Sequence, residues 1–362
     1  MKKKIRILHV LSSHIYSGAE NVVCQIISLF QNDPDYEMIY CSPDGSIRKA
    51  LEERKISYMP IEKVSRSEVQ RVISETAPTL IHAHDVRASI VCAMAADSMK
   101  KNRLPLISHI HACFDSMTRV SAKSVSYLLF THCFSRIFWV SESSLNRYAF
   151  SGMVKGKSQV LYNVIDREKL EQRLQEDSTS YDYDVVFLGR FTEQKNPQRI
   201  VGILEQLEQQ LHPSSKQLHA AMIGDGELYE PIRELIKEKK LEQVIVLPGY
   251  MTNPYKALTS AKACLMASRY EGTPMSVLEA MALGVPVVST PVDGIADVVE
   301  SGVTGYLEET NEKLAERLQE LLTDPAKQKQ MSEASKRRFE QICDLKQYRE
   351  TLEQVYRESA VW

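Results

Sequence analysis

Short aliphatic runs alternate with amphipathic stretches along the first half of the chain. Residues 5–11, Ile-Arg-Ile-Leu-His-Val-Leu, read as a strand. In the stretch 19–30, Val22, Val23, Ile26, Ile27 and Phe30 recur at helical spacing, so one face is apolar. The same rhythm predicts strands at 38–41, 58–61, 80–84, 106–111 and 137–141. Helices are predicted near 47–54, 68–75, from Arg87 and near 121–134. This strand–helix alternation predicts a mostly parallel sheet with helices on both faces.

The second half repeats the pattern. Strands are expected at 184–188, 220–223, 244–247, 264–267 and 287–289, each followed by a helical segment, and the chain is helical after Asn311. The polar stretch 171–184 reads as a linker. At 362 residues the chain has room for two domains. The expectation is α/β, with two doubly wound Rossmann-like domains at 1–168 and 169–344. Their strand-end crevices, facing each other, would form one deep cleft.

Composition changes this picture little, with 43% hydrophobic and 25% charged residues. Charge adds more. Residues 1–167 carry 22 Lys/Arg against 15 Asp/Glu, a balance of +7; the remainder carries 23 against 32, a balance of −9. The basic half suits an anionic partner such as a membrane surface or a lipid-linked diphosphate; chance distribution of solvated charge is the plain alternative. No nucleic-acid partner is expected. Seven scattered cysteines, with no C-x-x-C pair, read as reduced thiols of a cytoplasmic protein. The basic, then apolar opening reads as a first strand, not a signal peptide. The apolar stretch 125–140 contains His132 and Arg136 and is too short to span a bilayer. The segment 119–138 reads as a buried core helix, with a monolayer-binding helix as the alternative.

Candidate chemistry concentrates in the second half. Glu271 lies in the Gly/Pro turn Glu271-Gly-Thr-Pro-Met-Ser, and Glu279 lies eight positions on, among Val277, Leu278, Ala280 and Met281. The simplest reason to keep carboxylates there is to accept hydrogen bonds from a polyhydroxyl ligand. A glycosidase acid–base pair is the rival reading, although eight helical residues would rise about 12 Å, beyond the roughly 5–9.5 Å such enzymes use. Arg190 follows a strand and Lys195 precedes a helix, so both can converge on a diphosphate. Gly18, before the first helix, permits close backbone approach to a phosphate, and Gly224, in Gly-Asp-Gly, marks a second glycine turn after a strand. Gly249 follows the next strand, placed for a nucleotide base. His82, His84, His109 and His111 gather at strand ends, with His109 and His111 on one face. His84 is placed to line an acceptor side. Asp182-Tyr-Asp184 is formally D-x-D, but precedes a strand and reads as solvated loop.

The segment 271–289 resembles the E-x7-E signature of family 4 (group 1) retaining glycosyltransferases, and Gly189-Arg190 through Lys195 resembles their G-R-x4-K element. The resemblance covers nearly the whole chain and is strongest at 187–305. It implies the GT-B architecture, with the acceptor on the N-terminal domain, the nucleotide-sugar donor on the C-terminal one, and a last helix, 345–362, packing back on the first domain. It assigns Glu279 to the ribose hydroxyls and Glu271 to the transferred sugar. The backbone of Gly272, Thr273, Pro274, Met275 and Ser276 meets sugar or phosphate. His111, with His109 as fallback, lies near the reacting centre, and Ser141 on the acceptor side. The family's paired glycines are Ser17-Gly18 here, and its N-G-V/I-D element carries Val164 in place of glycine. The expected activity is retaining, hexosyltransferase-type transfer from a UDP- or GDP-sugar, UDP favoured. The expected acceptor hydroxyl is that of a lipid-linked saccharide of a bacterial surface polysaccharide. No cofactor and no essential metal are expected, with Arg190 and Lys195 in the metal's place. The expected location is the cytoplasm, with peripheral contact at the inner face of the plasma membrane as an extension. A nucleotide-sugar epimerase of this architecture and a non-catalytic nucleotide-sugar-binding subunit are the alternatives.

Overall fold

The computed structural model describes residues 4–97, 104–211 and 217–360. It divides into two units, Met1–Asn163 with Leu345–Trp362, and Val164–Asp344. Residues 1–3 and 361–362, part of the expected first and last segments, lie outside the described residues.

In the N-terminal unit the aliphatic runs form strands β1 (Ile5–Leu11), β2 (Tyr36–Pro43), β3 (Ser57–Ile61), β4 (Leu80–His84), β5 (Leu106–Ile110), β6 (Arg136–Trp139) and β7 (Ser158–Val160). Their order is β3-β2-β1-β4-β5-β6-β7, with every pairing parallel. Parallel strands covered on both faces lose contact with water on both, so β1, β4 and β5 are almost entirely buried. Successive strands run outward from β1 in one direction and from β4 in the other. The chain reverses direction across the β1–β4 pair, so the crevice opens at their carboxyl ends.

The terminal helix Leu345–Ala360 belongs to this unit. Tyr348, Leu352, Val355, Tyr356 and Ser359 form its buried stripe at helical spacing. Tyr356 packs on Phe30 and its hydroxyl meets His82 Nδ1 at 2.9 Å. Arg349 and Arg357 pair with Asp33 at 2.5 Å and Asp35 at 3.3 Å.

The second unit has strands β8 (Val185–Leu188), β9 (Ala220–Ile223), β10 (Ile245–Gly249), β11 (Ala263–Met266), β12 (Val287–Ser289) and β13 (Gly305–Leu307). Their order, β10-β9-β8-β11-β12-β13, repeats the same winding, again all parallel. Here the switch falls between β8 and β11.

Four features differ from the sequence reading. The edge strands β7 and β13 have three residues each, too few to show a period. Residues 171–176, expected as linker, close the helix Arg167–Glu176, which the Asp166 side chain caps and an Arg167–Glu171 pair at 2.8 Å supports. Asp184 is not a solvated loop residue: it is buried and pairs with Lys262 Nζ at 3.1 Å. The segment 119–138 contains the helix Ala122–Phe130, which buries Tyr127 but leaves Leu129 66% exposed.

Candidate active site

In a doubly wound sheet the loops leaving the two switch strands line the ligand crevice. In the second unit those loops carry the residues singled out from the sequence. Gly189 and Arg190 leave β8. Asn196 takes a left-handed conformation (φ 53°), which asparagine tolerates better than most residues, and Pro197 opens the helix Pro197–Leu211. This turn aims Lys195 across to the loop after β11, where its Nζ meets Glu271 Oε1 at 2.6 Å. The pair is nearly sealed from water, with side chains 12% and 5% exposed. Gln194 ties the loops again by donating to the Tyr270 carbonyl at 3.1 Å. Arg190 is exposed beside this pair in sequence.

Glu271 is held from a second side. Its backbone N–H donates to Asp293 Oδ2 at 2.9 Å. Asp293 is buried and left-handed (φ 40°), at the start of the helix Asp293–Val298. Thr273 and Pro274 then lead, buried, into the helix Met275–Leu283, and Pro274 stands at its cap without a side-chain hydrogen bond. The first-turn N–H groups of a helix lack carbonyl partners within it, so this start can receive an anion. Ser276 faces inward, its Oγ 4.0 Å from Met266 Sδ.

Glu279 sits one turn further along, accepting from Tyr255 Oη at 3.2 Å. Burial pushes its pKa up to about 7, against smaller opposing effects from the Tyr255 hydrogen bond, Arg173 and Lys195. Arg173, from the helix Arg167–Glu176, lies over the Tyr255 ring at 5.4 Å.

The glycine turns close this side. Gly224 (φ 144°) and Gly226 (φ 153°) follow β9 and lie against the loop after β8. Gly189 N–H donates to Ile223 O at 3.1 Å, and Gly224 N–H to Gly249 O at 2.9 Å. A Cβ on Gly224 would fall 1.9 Å from the Gly189 carbonyl oxygen. Gly224→Ala is therefore expected to destabilise the protein by at least about 1–3 kcal/mol from backbone strain alone. Denaturant unfolding measures the effect. Gly249 is left-handed (φ 77°), and Tyr250 is exposed.

The remaining candidates lie in the other unit. Gly18 opens the helix Gly18–Phe30, with open space where a Cβ would stand, so packing does not demand glycine there. Ser141 caps the helix Glu142–Arg147, accepting from Ser144 N–H at 3.1 Å and donating to Ser144 Oγ at 2.7 Å. Its hydroxyl is thus committed to the fold. His84 ends β4 and His111 stands one residue past β5, their rings joined at 3.1 Å. The structure therefore brings Lys195, Glu271 and the start of Met275–Leu283 together, with Glu279 behind them. Tyr255, Asp293 and Arg173 were not found from sequence. Pro291-Val-Asp-Gly was the one visible signal, a turn.

Comparison with known proteins bears on the family and the fold. Residues 166–338 match the profile of Glycosyl transferases group 1, and residues 16–169 that of Glycosyltransferase Family 4. An uncharacterized glycosyltransferase of Methanocaldococcus jannaschii is 31% identical over 145 residues, 38% of this chain but only 34% of that protein. The chain thus matches about a third of that relative's length. The UDP-Gal:alpha-D-GlcNAc-diphosphoundecaprenol alpha-1,3-galactosyltransferase of Escherichia coli is 24% identical over 341 residues, 85% of each chain. The structure of Anabaena HepE in complex with UDP-glucose superposes with a TM-score of 0.84 at 19% identity, covering 98% of this chain and 100% of that one. At that identity the likeness shows the fold.

Proposed function

Because the chain belongs to the family 4, group 1 glycosyltransferases of GT-B fold, we propose that its second unit binds a nucleoside-diphosphate sugar, UDP-linked in preference to GDP-linked. The sugar passes with retention to a hydroxyl of a lipid-linked saccharide in surface-polysaccharide assembly. The observation that carries this reading is the Lys195–Glu271 pair at the β8–β11 switch. One cation and one carboxylate there meet the opposite needs of a diphosphate and a sugar.

In this reading Arg190, Lys195 and the N–H groups at Met275 and Ser276 neutralise the diphosphate. The C1–O bond to phosphate breaks, the acceptor oxygen bonds C1 on the same face, and its proton passes to the departing phosphate oxygen. Charge grows on that oxygen, so fixed positive groups lower the barrier. Glu271 and the Gly272–Pro274 backbone hold the sugar hydroxyls, Glu279 the ribose, and the Gly224 and Gly249 turns the base side. No metal enters the step. In the N-terminal unit His111 serves the transfer step, His84 the acceptor, and Gly18 offers backbone approach to the donor. Nothing yet assigns Ser141 more than its cap. Val120 and Leu129, 73% and 66% exposed, with Lys123 between them in sequence, suit contact with an anionic membrane face. No described helix is long and apolar enough to cross a membrane.

The test is a panel of UDP- and GDP-sugars with undecaprenyl-diphosphate saccharides. Nucleoside-diphosphate release that requires acceptor, with an α-linked product from an α-linked donor, is the expected result. Sugar conversion without acceptor would indicate an epimerase. Binding without conversion would indicate a non-catalytic subunit.

A further inference from the structure

Five histidines crowd one face of the N-terminal sheet. His9 on β1 is in register with His82 on β4, and His84 with His109 on β5, while His111 follows β5. Neighbouring rings lie 4.1–5.4 Å apart between centroids. His9, His82, His84 and His109 are buried; His111 keeps an exposed edge at the strand ends. Burial depresses the pKa of His9 and of His111 to about 3, and holds His82, His84 and His109 well below the ordinary value. Among the described residues the hydrogen-bond partners of these rings are one another, Met38 and Tyr356, with no carboxylate, and packed together away from water they stay uncharged.

The hydrogen bonds fix where lone pairs point. The Met38 sulfur can only accept, so the 3.4 Å contact from His9 Nε2 places a proton on that nitrogen. His9 Nδ1 is then an acceptor, and the 2.9 Å contact makes His84 Nε2 the donor. A neutral ring carries one proton, so His84 Nδ1 presents a lone pair toward His111 Nε2, 3.1 Å away. Both ring nitrogens of His109 and Nδ1 of His111 are buried without a hydrogen-bond partner. Leaving such groups bare in an apolar interior is unfavourable by about 1–3 kcal/mol each.

We propose that His84, His109 and His111 form a binding site for a divalent transition-metal ion of the Zn²⁺ type. One nitrogen from each comes within 4.8 Å of the others. An ion bound at about 2.0–2.1 Å to imidazoles spaces tetrahedral ligand atoms about 3.4 Å apart, inside the range these rings span. The His84 Nε2–H bond to His9 orients that ligand from behind, as metal-bound histidines usually require. The partly exposed His111 marks the entry, and a fourth position remains for water. The ion would pin His111, the ring to which the proposed function gives a part in transfer; binding itself is independent of that function.

The probe is Co²⁺, added to the chelator-treated full-length protein. Expected are one retained equivalent, visible d–d bands of a four-coordinate ion, and X-ray absorption showing three imidazoles at about 2.0–2.1 Å. His84→Asn and His109→Asn each remove the bands. Retention unchanged in both variants, or a first shell in the unaltered protein with fewer than three imidazoles, overturns the site. Should the variants misfold, the absorption measurement on the unaltered chain decides. Inactivity toward all donors leaves this result untouched, so the two proposals fail separately.

Discussion

Lys195→Met is expected to lower kcat for transfer by about 10²–10³-fold, the scale of losing one fixed group that stabilises departing charge. It also leaves the Glu271 carboxylate, 5% exposed, without its cation. Removing one partner of a buried pair typically destabilises by about 3–5 kcal/mol, because the other charge stays desolvated. The two effects separate in the double variant. Lys195→Met with Glu271→Gln restores most of the lost stability, because no buried charge remains unpaired, yet stays inactive. Steady-state kinetics and urea midpoints on the four forms of this cycle measure both. Full activity in Lys195→Met would remove the cation from the chemistry.

Glu279→Gln is expected to stabilise the protein and weaken its donor affinity. Burial raises the Glu279 pKa from 4.5 to about 7. Between those values the folded protein holds a proton that the unfolded chain has released. Stability from this group is therefore greatest below pH 4.5 and falls as pH rises to about 7. Above pH 7 the ionised carboxyl destabilises by roughly 3 kcal/mol. Glutamine is never ionised, so the variant gains about that much at pH 8 and almost nothing at pH 4. Donor binding runs the other way. A carboxylate accepting ribose hydroxyls contributes about 1.5–3 kcal/mol, so the variant binds a UDP-sugar about 10–150-fold more weakly at pH 8. In the unaltered protein affinity falls as pH drops below about 7, and in the variant it does not. A UDP-sugar is the right probe, since its phosphates are diesterified and do not titrate there. Thermal unfolding and calorimetric titration between pH 5 and 8 check both halves.

Much of this was readable from the chain because parallel strands buried on both faces become near-continuous apolar runs, as in 263–266 and in 5–11, where only Arg6 and His9 interrupt. Lys195, Glu271 and Glu279 were legible for a related reason: each sits at a fixed distance after a strand or inside an apolar helix, where a charge is conspicuous. The partners that hold them were not. Asp293 comes from 22 positions beyond Glu271, and Tyr255 from 24 before Glu279. Only the winding of the sheet brings them together. The terminal strands were too short to show alternation, and the Arg167–Glu176 helix rests on a cap and ion pairs in a stretch whose polarity reads as linker. His9 was hidden inside a strand run. Its meaning emerged only from its register with His82 and its bond to His84.

The most direct test of the donor site is a crystal structure with UDP bound, and with GDP if UDP does not bind. The diphosphate is expected at Arg190, Lys195 and the start of the Met275–Leu283 helix, with the ribose hydroxyls on Glu279. A nucleotide bound away from the β8–β11 strand ends, or no nucleotide at millimolar concentration, would contradict it.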